Sequence, residues 1–443
     1  MTSLALDLAV TGNLPRFATG ASDPLRIGFL APLSGPVQSW GLPGLYGCQI
    51  WTDWINRAGG MLIGGRRHRV ELIEVDCGYD PDLALAGART LVQDHDIKLL
   101  LMLGGDTFLP LQDYLGERKI LTTTLLPSDL SPDTPYLIAP SEIHPLYTVT
   151  GVDWLARNRP DLTRVALCSQ TDAVGLPSLA TYRAAFGAAG HRIVKEVQYR
   201  PEETEAAQIV AAMLAEAPEI LCWCTSYEPM VHALTEAAHQ AGFRGQIISC
   251  TADNYPRMVA RTSQTFMEGF LFQFPYFDDP ALREAAFFFK RPAAFYEEYN
   301  RRFPGAWTAV SWEYAAVLDL WHAAVQTAGT MAPVSVLAAM KRAGRVDTIF
   351  GPADWAGQEV FGIDNALVGN WPVVRIEGAK ARVVEFGSIP DWLALHGTRL
   401  RAEMEGLGQM WHQRQGGARA ATRLQARSQP ARSQPARSQP APS

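Results

Sequence analysis

The chain has 443 residues, long for one hydrophobic core and comfortable for two lobes. It is 47% hydrophobic and 19% charged, ordinary for a globular protein, and no run of ~18 apolar residues marks a membrane-spanning helix. The net charge of -6 is uneven: eight Arg and two Glu from Thr398 onward give +6, leaving -12 on the body, which argues against nucleic acid as the main partner.

Residues 1–24 read as irregular. No basic residue precedes Arg16, and the apolar run Leu4-Ala5-Leu6 is broken by Asp7, so the segment does not read as a secretory signal. An apolar strand is predicted from Leu25 to Leu30. It leads into the small-residue turn Ala31 to Gly41, which carries Trp40, and a helix from Pro43 to about Arg57. Strand, helix and strand predictions follow over 70–76, 80–94 and 97–103, ending at the turn Gly104-Gly105-Asp106-Thr107. Strand and helix in alternation predict a parallel sheet with helices on both faces, whose ligands sit at the carboxyl ends of the strands. A further strand, 120–125, ends near Pro127-Ser128-Asp129.

A second βα series starts near Arg164 and repeats this architecture. Its strand-end loops include Ser169 to Gly175, Ser226-Tyr227-Glu228 and Thr251-Ala252-Asp253. The apolar strand 270–274 then leads to Pro275-Tyr276-Phe277. A strongly apolar helix is predicted over 309–328, and late strands over 351–355 and 370–376. Three copies of Ala-Arg-Ser-Gln-Pro from Ala426 offer no core residues, so residues 396–443 are expected to form a basic, low-complexity, disordered tail. The six cysteines fall mostly in or beside apolar strands and read as small buried hydrophobes. Cys222 and Cys224 share a strand face, but no His or acidic residue stands at ligand spacing, so no metal or other cofactor is expected.

Several pieces resemble one known family: Leu33-Ser34-Gly35-Pro36 with Trp40-Gly41, Ile55-Asn56-Arg57-Ala58-Gly59-Gly60, Val75-Asp76 followed by Asp80-Pro81, Tyr314-Ala315-Ala316, and Asp347-Thr348-Ile349-Phe350-Gly351-Pro352. Their order and spacing are similar to the type I periplasmic binding proteins of the leucine/isoleucine/valine-binding group, which include amide and urea binders. The resemblance covers about Leu25 to Glu385. It implies an α/β fold of two Rossmann-like lobes with parallel sheets joined by three crossovers: residues 25–142 and 276–350 in lobe 1, and 143–275 and 351–395 in lobe 2. It also implies a small-molecule ligand (amino acid, amide or aromatic acid) captured in the cleft by hinge closure, ABC importer permease subunits as partners, and a periplasmic location. The same fold can serve as a cytoplasmic sensor controlling a regulatory protein, as in the amide sensors the chain also resembles.

Carried onto this sequence, the resemblance implies a ligand-packing aromatic at Trp40 and an anion seat over Gly105, Asp106 and Thr107. A second hydroxyl position falls at Ser128, a cleft-closing aromatic at Tyr227, an acid for a ligand ammonium at Asp253, and a further aromatic contact at Tyr276 and Phe277. Beside each stands a plainer reading: loop or core packing for the aromatics, helix entry or turn roles for the polar residues. The family's usual hydroxyl is replaced by Gly105, and Asp106 adds a negative charge, so a neutral amide or aromatic compound is expected to compete with leucine or valine. A cysteine near Cys77 is bridged in close relatives to the strand end occupied here by Gly104. The bridge is therefore expected to be missing, which fits poorly with an oxidising compartment. No P-loop, G-x-S-x-G, H-E-x-x-H or G-x-G-x-x-G motif is present. Glu142 and His144 could support acid–base chemistry, but no nucleophile accompanies them, and the protein is expected not to be an enzyme.

Overall fold

A computed structural model describes residues 24–414, apart from 203–204, 286–290 and 343. The Ala-Arg-Ser-Gln-Pro repeats and residues 1–23 lie outside the described residues. Leu25–Ala31 is apolar and almost wholly buried, the pattern of a strand covered on both faces. It runs parallel to Val70–Asp76 on one side and Leu99–Met102 on the other, and Thr122–Thr123 and Leu137–Ile138 extend the sheet. Helix Leu42–Arg57 follows the first strand, and Pro81–Gln93 follows the second. The latter starts where the Asp80 side chain accepts the backbone N–H groups of Asp82 and Leu83.

The second sheet repeats the design. Arg164–Gln170 lies between Arg192–Tyr199 and Ile220–Trp223, followed by Gln246–Ser249 and Leu271–Phe272, all parallel. Helix Val310–Ala328 returns to the first lobe and packs on Leu42–Arg57. The approach is close: a Cβ on Gly47 would stand 2.0 Å from the Ser311 carbonyl oxygen.

One long strand, Ala366–Glu377, joins the sheets. Its first residues pair with Gly351–Ala356 and bridge Ala139 beside the first sheet. Its later residues pair with Leu271–Phe272 and Lys380–Ser388 in the second. Through this long strand, Gly351–Ala356 joins the same nine-stranded sheet as Leu271–Phe272 and Gln246–Ser249.

The expected start of the disordered tail at residue 396 is corrected. Ile389–Gly406 is a helix, with the Ser388 side chain accepting the Asp391 N–H at its start. Leu400 and Met404 are buried, and the helix packs on Gly175–Ala188. Burying a Leu and a Met, at ~1.5–3 kcal/mol for each side chain, holds this helix to the body. Among the described residues, no single helix is long and apolar enough to cross a membrane.

Candidate ligand cleft

The strand-end loops of both lobes meet over a small cavity. Trp40 ends a 3-10 turn after the first strand and is buried. Its indole N–H donates to Asp253 Oδ2 at 2.9 Å, across the cleft, and its ring meets Tyr227 edge-on at 5.4 Å. Asp253 Oδ1 accepts the Ala309 backbone N–H, also at 2.9 Å. Both donors thus come from first-lobe elements, while Asp253 follows the second-lobe strand Gln246–Ser249. Burial pushes the Asp253 carboxyl up to about 7 against the pull of these donors.

Tyr227 stands just before helix Glu228–Gln240. Its hydroxyl donates to Asp172 Oδ2 at 3.0 Å, and its backbone N–H to Gln170 Oε1 at 3.1 Å.

The loop at Gly104–Gly105 is occupied by the protein itself. The Gly105 N–H donates to Asp129 Oδ2 at 2.9 Å, and Thr124 Oγ1 donates to the same oxygen at 2.9 Å. Both glycines have positive φ, 102° and 68°. A Cβ on Gly104 would lie 2.2 Å from Asp129 Oδ2 and from Thr124 Oγ1, so only glycine lets the carboxylate settle there. Burial raises the Asp129 carboxyl to about 6, opposed by Arg414, whose guanidinium lies 3.8 Å from Oδ1. Thr107 Oγ1 donates back to the Gly104 carbonyl oxygen at 2.8 Å. Asp106 is half-buried on the rim. Burial raises its carboxyl, while Arg414 and the Ala173 N–H lower it.

Ser128 is buried away from the cavity, in a small hollow with Trp411 and Arg414, and its carbonyl accepts from Arg414. Tyr276 packs between Tyr255 and Tyr296, at 4.9 and 6.0 Å. Phe277 is buried against Trp307 and Trp312, at 5.2 and 5.4 Å. Neither ring lines the cavity; for both, packing is the reading their surroundings support. Of the residues singled out in the sequence, Trp40 lines it, with Asp253 and Tyr227 in contact with that ring.

The cavity itself measures about 30 Å³, room for about two waters. A solute enters only if the walls separate. Its floor is made by the first crossover: Glu142, His144 and Tyr147 line it, with Thr225 from the second lobe and Leu103 and Leu126 from the first. Burial drives the His144 ring down to about 3, so it is neutral, and its Nε2 lies 2.6 Å from Thr225 Oγ1. Thr225 Oγ1 donates to Cys250 Sγ at 3.1 Å, and Tyr147 Oη lies 3.0 Å from the same sulfur. Burial raises the Glu142 carboxyl to about 8, and burial together with the neighbouring Glu142 pushes the Glu313 carboxyl well up. No Lys or Arg lines this cavity.

Sequence reasoning noticed Glu142 and His144 only as a possible acid–base pair and missed Tyr147, Thr225 and Leu126 as lining residues. One available signal was position: Thr225 ends an apolar strand two residues before Tyr227. Among the described residues, no cluster of His, Cys, Asp and Glu is arranged to hold a metal ion.

Comparison with known proteins bears on the fold and the family. The chain is 23% identical over 244 residues to Leu/Ile/Val-binding protein homolog 3 of Brucella melitensis, covering 52% of this chain and 62% of that protein. A Leu/Ile/Val-binding protein of Rhizobium johnstonii matches at 24% identity, over 56% of this chain and 66% of its own length. The chain thus spans just under two thirds of these curated relatives. Among solved structures, a leucine-binding protein of Thermotoga maritima superposes with a TM-score of 0.68 at 17% identity, covering 83% of this chain and 99% of that one. A solute-binding protein of Rhodopseudomonas palustris in complex with p-hydroxybenzoic acid gives 0.69 at 18% identity, covering 84% and 99%. These likenesses show the shared fold. A family profile described as periplasmic binding protein matches residues 24–381, most of the chain, and the protein belongs to that family.

Proposed function

We propose that the protein is a non-enzymatic solute receptor that captures a small molecule between its lobes by hinge closure and presents it to the permease of an ABC-type importer, from the periplasm. The Trp40–Asp253 hydrogen bond carries this reading. It joins loops of the two lobes directly over a cavity that both lobes line. Such a contact forms on closure and breaks on opening, the behaviour of a hinged binding protein.

The ligand class follows from the charges around the cavity. Asp129 already takes the Gly105 N–H, so that backbone donor is not free for a ligand carboxylate. No Lys or Arg lines the cavity to neutralise a ligand anion, and Asp253, raised to about 7, keeps part of its negative charge at neutral pH. We assign the cleft to an uncharged amide or aromatic compound in preference to an α-amino acid. A thermal-shift panel of branched-chain amino acids, short amides, urea, and aromatic acids with their amides tests this. Stabilisation by the neutral compounds is expected; stabilisation by branched-chain amino acids alone would overturn it.

One observation favours a second reading, the cytoplasmic sensor with a regulatory protein as partner: all six cysteines are free thiols, Cys77 included. Fractionation of the producing cell separates the two, since a sensor stays with the cytoplasmic markers.

A further inference from the structure

A larger cavity, of about 260 Å³, lies behind the first crossover. Glu142 and His144 line the cleft, whereas Ile143 between them lines this second space. Its walls are helix Val310–Ala328 and the strands Gly351–Ala356 and Ala366–Glu377. Trp371 separates the two cavities. Its ring lines the second and stacks on Tyr147 of the first at 5.2 Å, with 20° between the planes.

Two features distinguish this space from a packing defect. Trp312 lines it and is 2% exposed, yet its indole N–H has no hydrogen-bond partner. A donor buried this deeply and left unpaired is uncommon, and a ligand acceptor would satisfy it. The charged residues that line the space are Asp319 and Asp347, both acids, while Phe350, Leu320 and Trp371 supply flat apolar walls. That combination, mostly apolar with a few convergent polar groups, is the general make-up of a small-molecule site, here somewhat below drug size.

We propose that this hinge-side cavity is a second ligand site, which takes a small, flat, uncharged aromatic molecule whose hydrogen-bond acceptor meets the Trp312 indole N–H. An amide is the fitting chemistry: its carbonyl accepts from Trp312 and its N–H groups face Asp319. An anionic isostere is rejected by the two acids. Burial raises the Asp319 carboxyl to about 6, which leaves it a charged acceptor at neutral pH.

The test uses the full chain, with benzamide as probe and benzoate as its isosteric anion, measured by saturation-transfer NMR and calorimetric titration. Trp40→Ala weakens the cleft alone and so separates its contribution from that of the second site. Benzamide is expected to bind saturably to wild type and to Trp40→Ala alike, at least tenfold tighter than benzoate. Ala316→Phe fills the cavity from its helix wall and should weaken benzamide at least tenfold. Ala323→Phe, on the same helix face, serves if Ala316→Phe does not fold. Trp312→Phe keeps the ring but removes the donor, with about fivefold weakening expected. The proposal is overturned if benzamide shows no saturable binding, if its binding disappears in Trp40→Ala, if benzoate binds equally well, or if the filled variants and Trp312→Phe bind it unchanged.

Discussion

Asp129 and Asp253 are built alike and do different work. Each is a buried carboxylate, raised in pKa by desolvation, that accepts one backbone N–H and one side-chain donor at 2.9 Å. For Asp129 the donors are Gly105 and Thr124, on neighbouring loops of its own lobe, with Arg414 close by. For Asp253 they are Trp40 and Ala309, on first-lobe elements reached across the cleft. Equal local chemistry thus makes a static brace in one place and an interlobe latch in the other. What differs is which parts of the chain the bonds connect, and under the proposed hinge closure that decides whether opening breaks them.

The sharpest way to break this comparison is to delete the brace. Asp129→Ala strands two buried donors and leaves the Arg414 guanidinium with its carboxylate gone. Loss of one partner from such a buried set costs ~3–5 kcal/mol. Denaturant titration should show a lower midpoint of that size, and a change below about 1 kcal/mol would mean the carboxylate is dispensable.

The next effect is on pH dependence. Both acids carry folded-state values above the ~3.9 of an unfolded Asp, about 6 for Asp129 and about 7 for Asp253. The folded protein therefore binds more protons than the unfolded chain. Their contribution to stability is full below pH ~4 and is lost as pH rises toward 6 for Asp129 and 7 for Asp253, amounting to on the order of 2–4 kcal/mol each. Melting curves recorded from pH 4 to 8 should decline over that window. Asp253→Asn should remove about 1.4 kcal/mol per pH unit from that decline across the whole of pH 4–7, including the stretch above pH 6 where Asp129 no longer contributes. An unchanged slope in Asp253→Asn would show that the latch carboxyl does not titrate there.

A smaller effect concerns affinity. Trp40→Ala removes the apolar face over the cavity and the donor to Asp253, weakening the best ligand of the thermal-shift panel by ~1–3 kcal/mol in calorimetry. Unweakened binding would remove Trp40 from the site. The smallest expected effect belongs to Tyr227→Phe, which deletes the hydroxyl bonded to Asp172 but keeps the ring against Trp40. A loss of ~0.5–1.5 kcal/mol in stability is expected by denaturant titration, with ligand affinity within a factor of about three. A tenfold loss of affinity would place that hydroxyl on the ligand.

The alternation of apolar strands and amphipathic helices was legible over both lobes, because each element's period depends only on its own residues. Loops at strand ends were legible for the same reason, and the family resemblance singled out Trp40, Tyr227 and Asp253 among their residues. Ser128 and Phe277 looked equally suitable on position. Their side chains turn into a hollow under the C-terminal segment and into an aromatic core, and local pattern carries no information about either direction. The far half of the C-terminal helix was missed because the basic repeats beyond it set the composition of 396–443, and the burial of Leu400 and Met404 against Gly175–Ala188 is a long-range contact.

By itself, then, the sequence determined that the chain forms two parallel α/β units with binding loops at their strand ends, and that a glycine pair allows a close approach at 104–105. Only the tertiary structure decided what makes that approach. Asp129 stands 24 residues from Gly105, and Asp253 stands 213 residues from Trp40. The same holds for the crossover residues Glu142, His144 and Tyr147, whose place on the cavity floor depends on two sheets packing around them. Periodicity is set by neighbours a few positions apart, whereas a buried carboxylate finds its donors through the whole packing of the chain, and no local spacing encodes that choice.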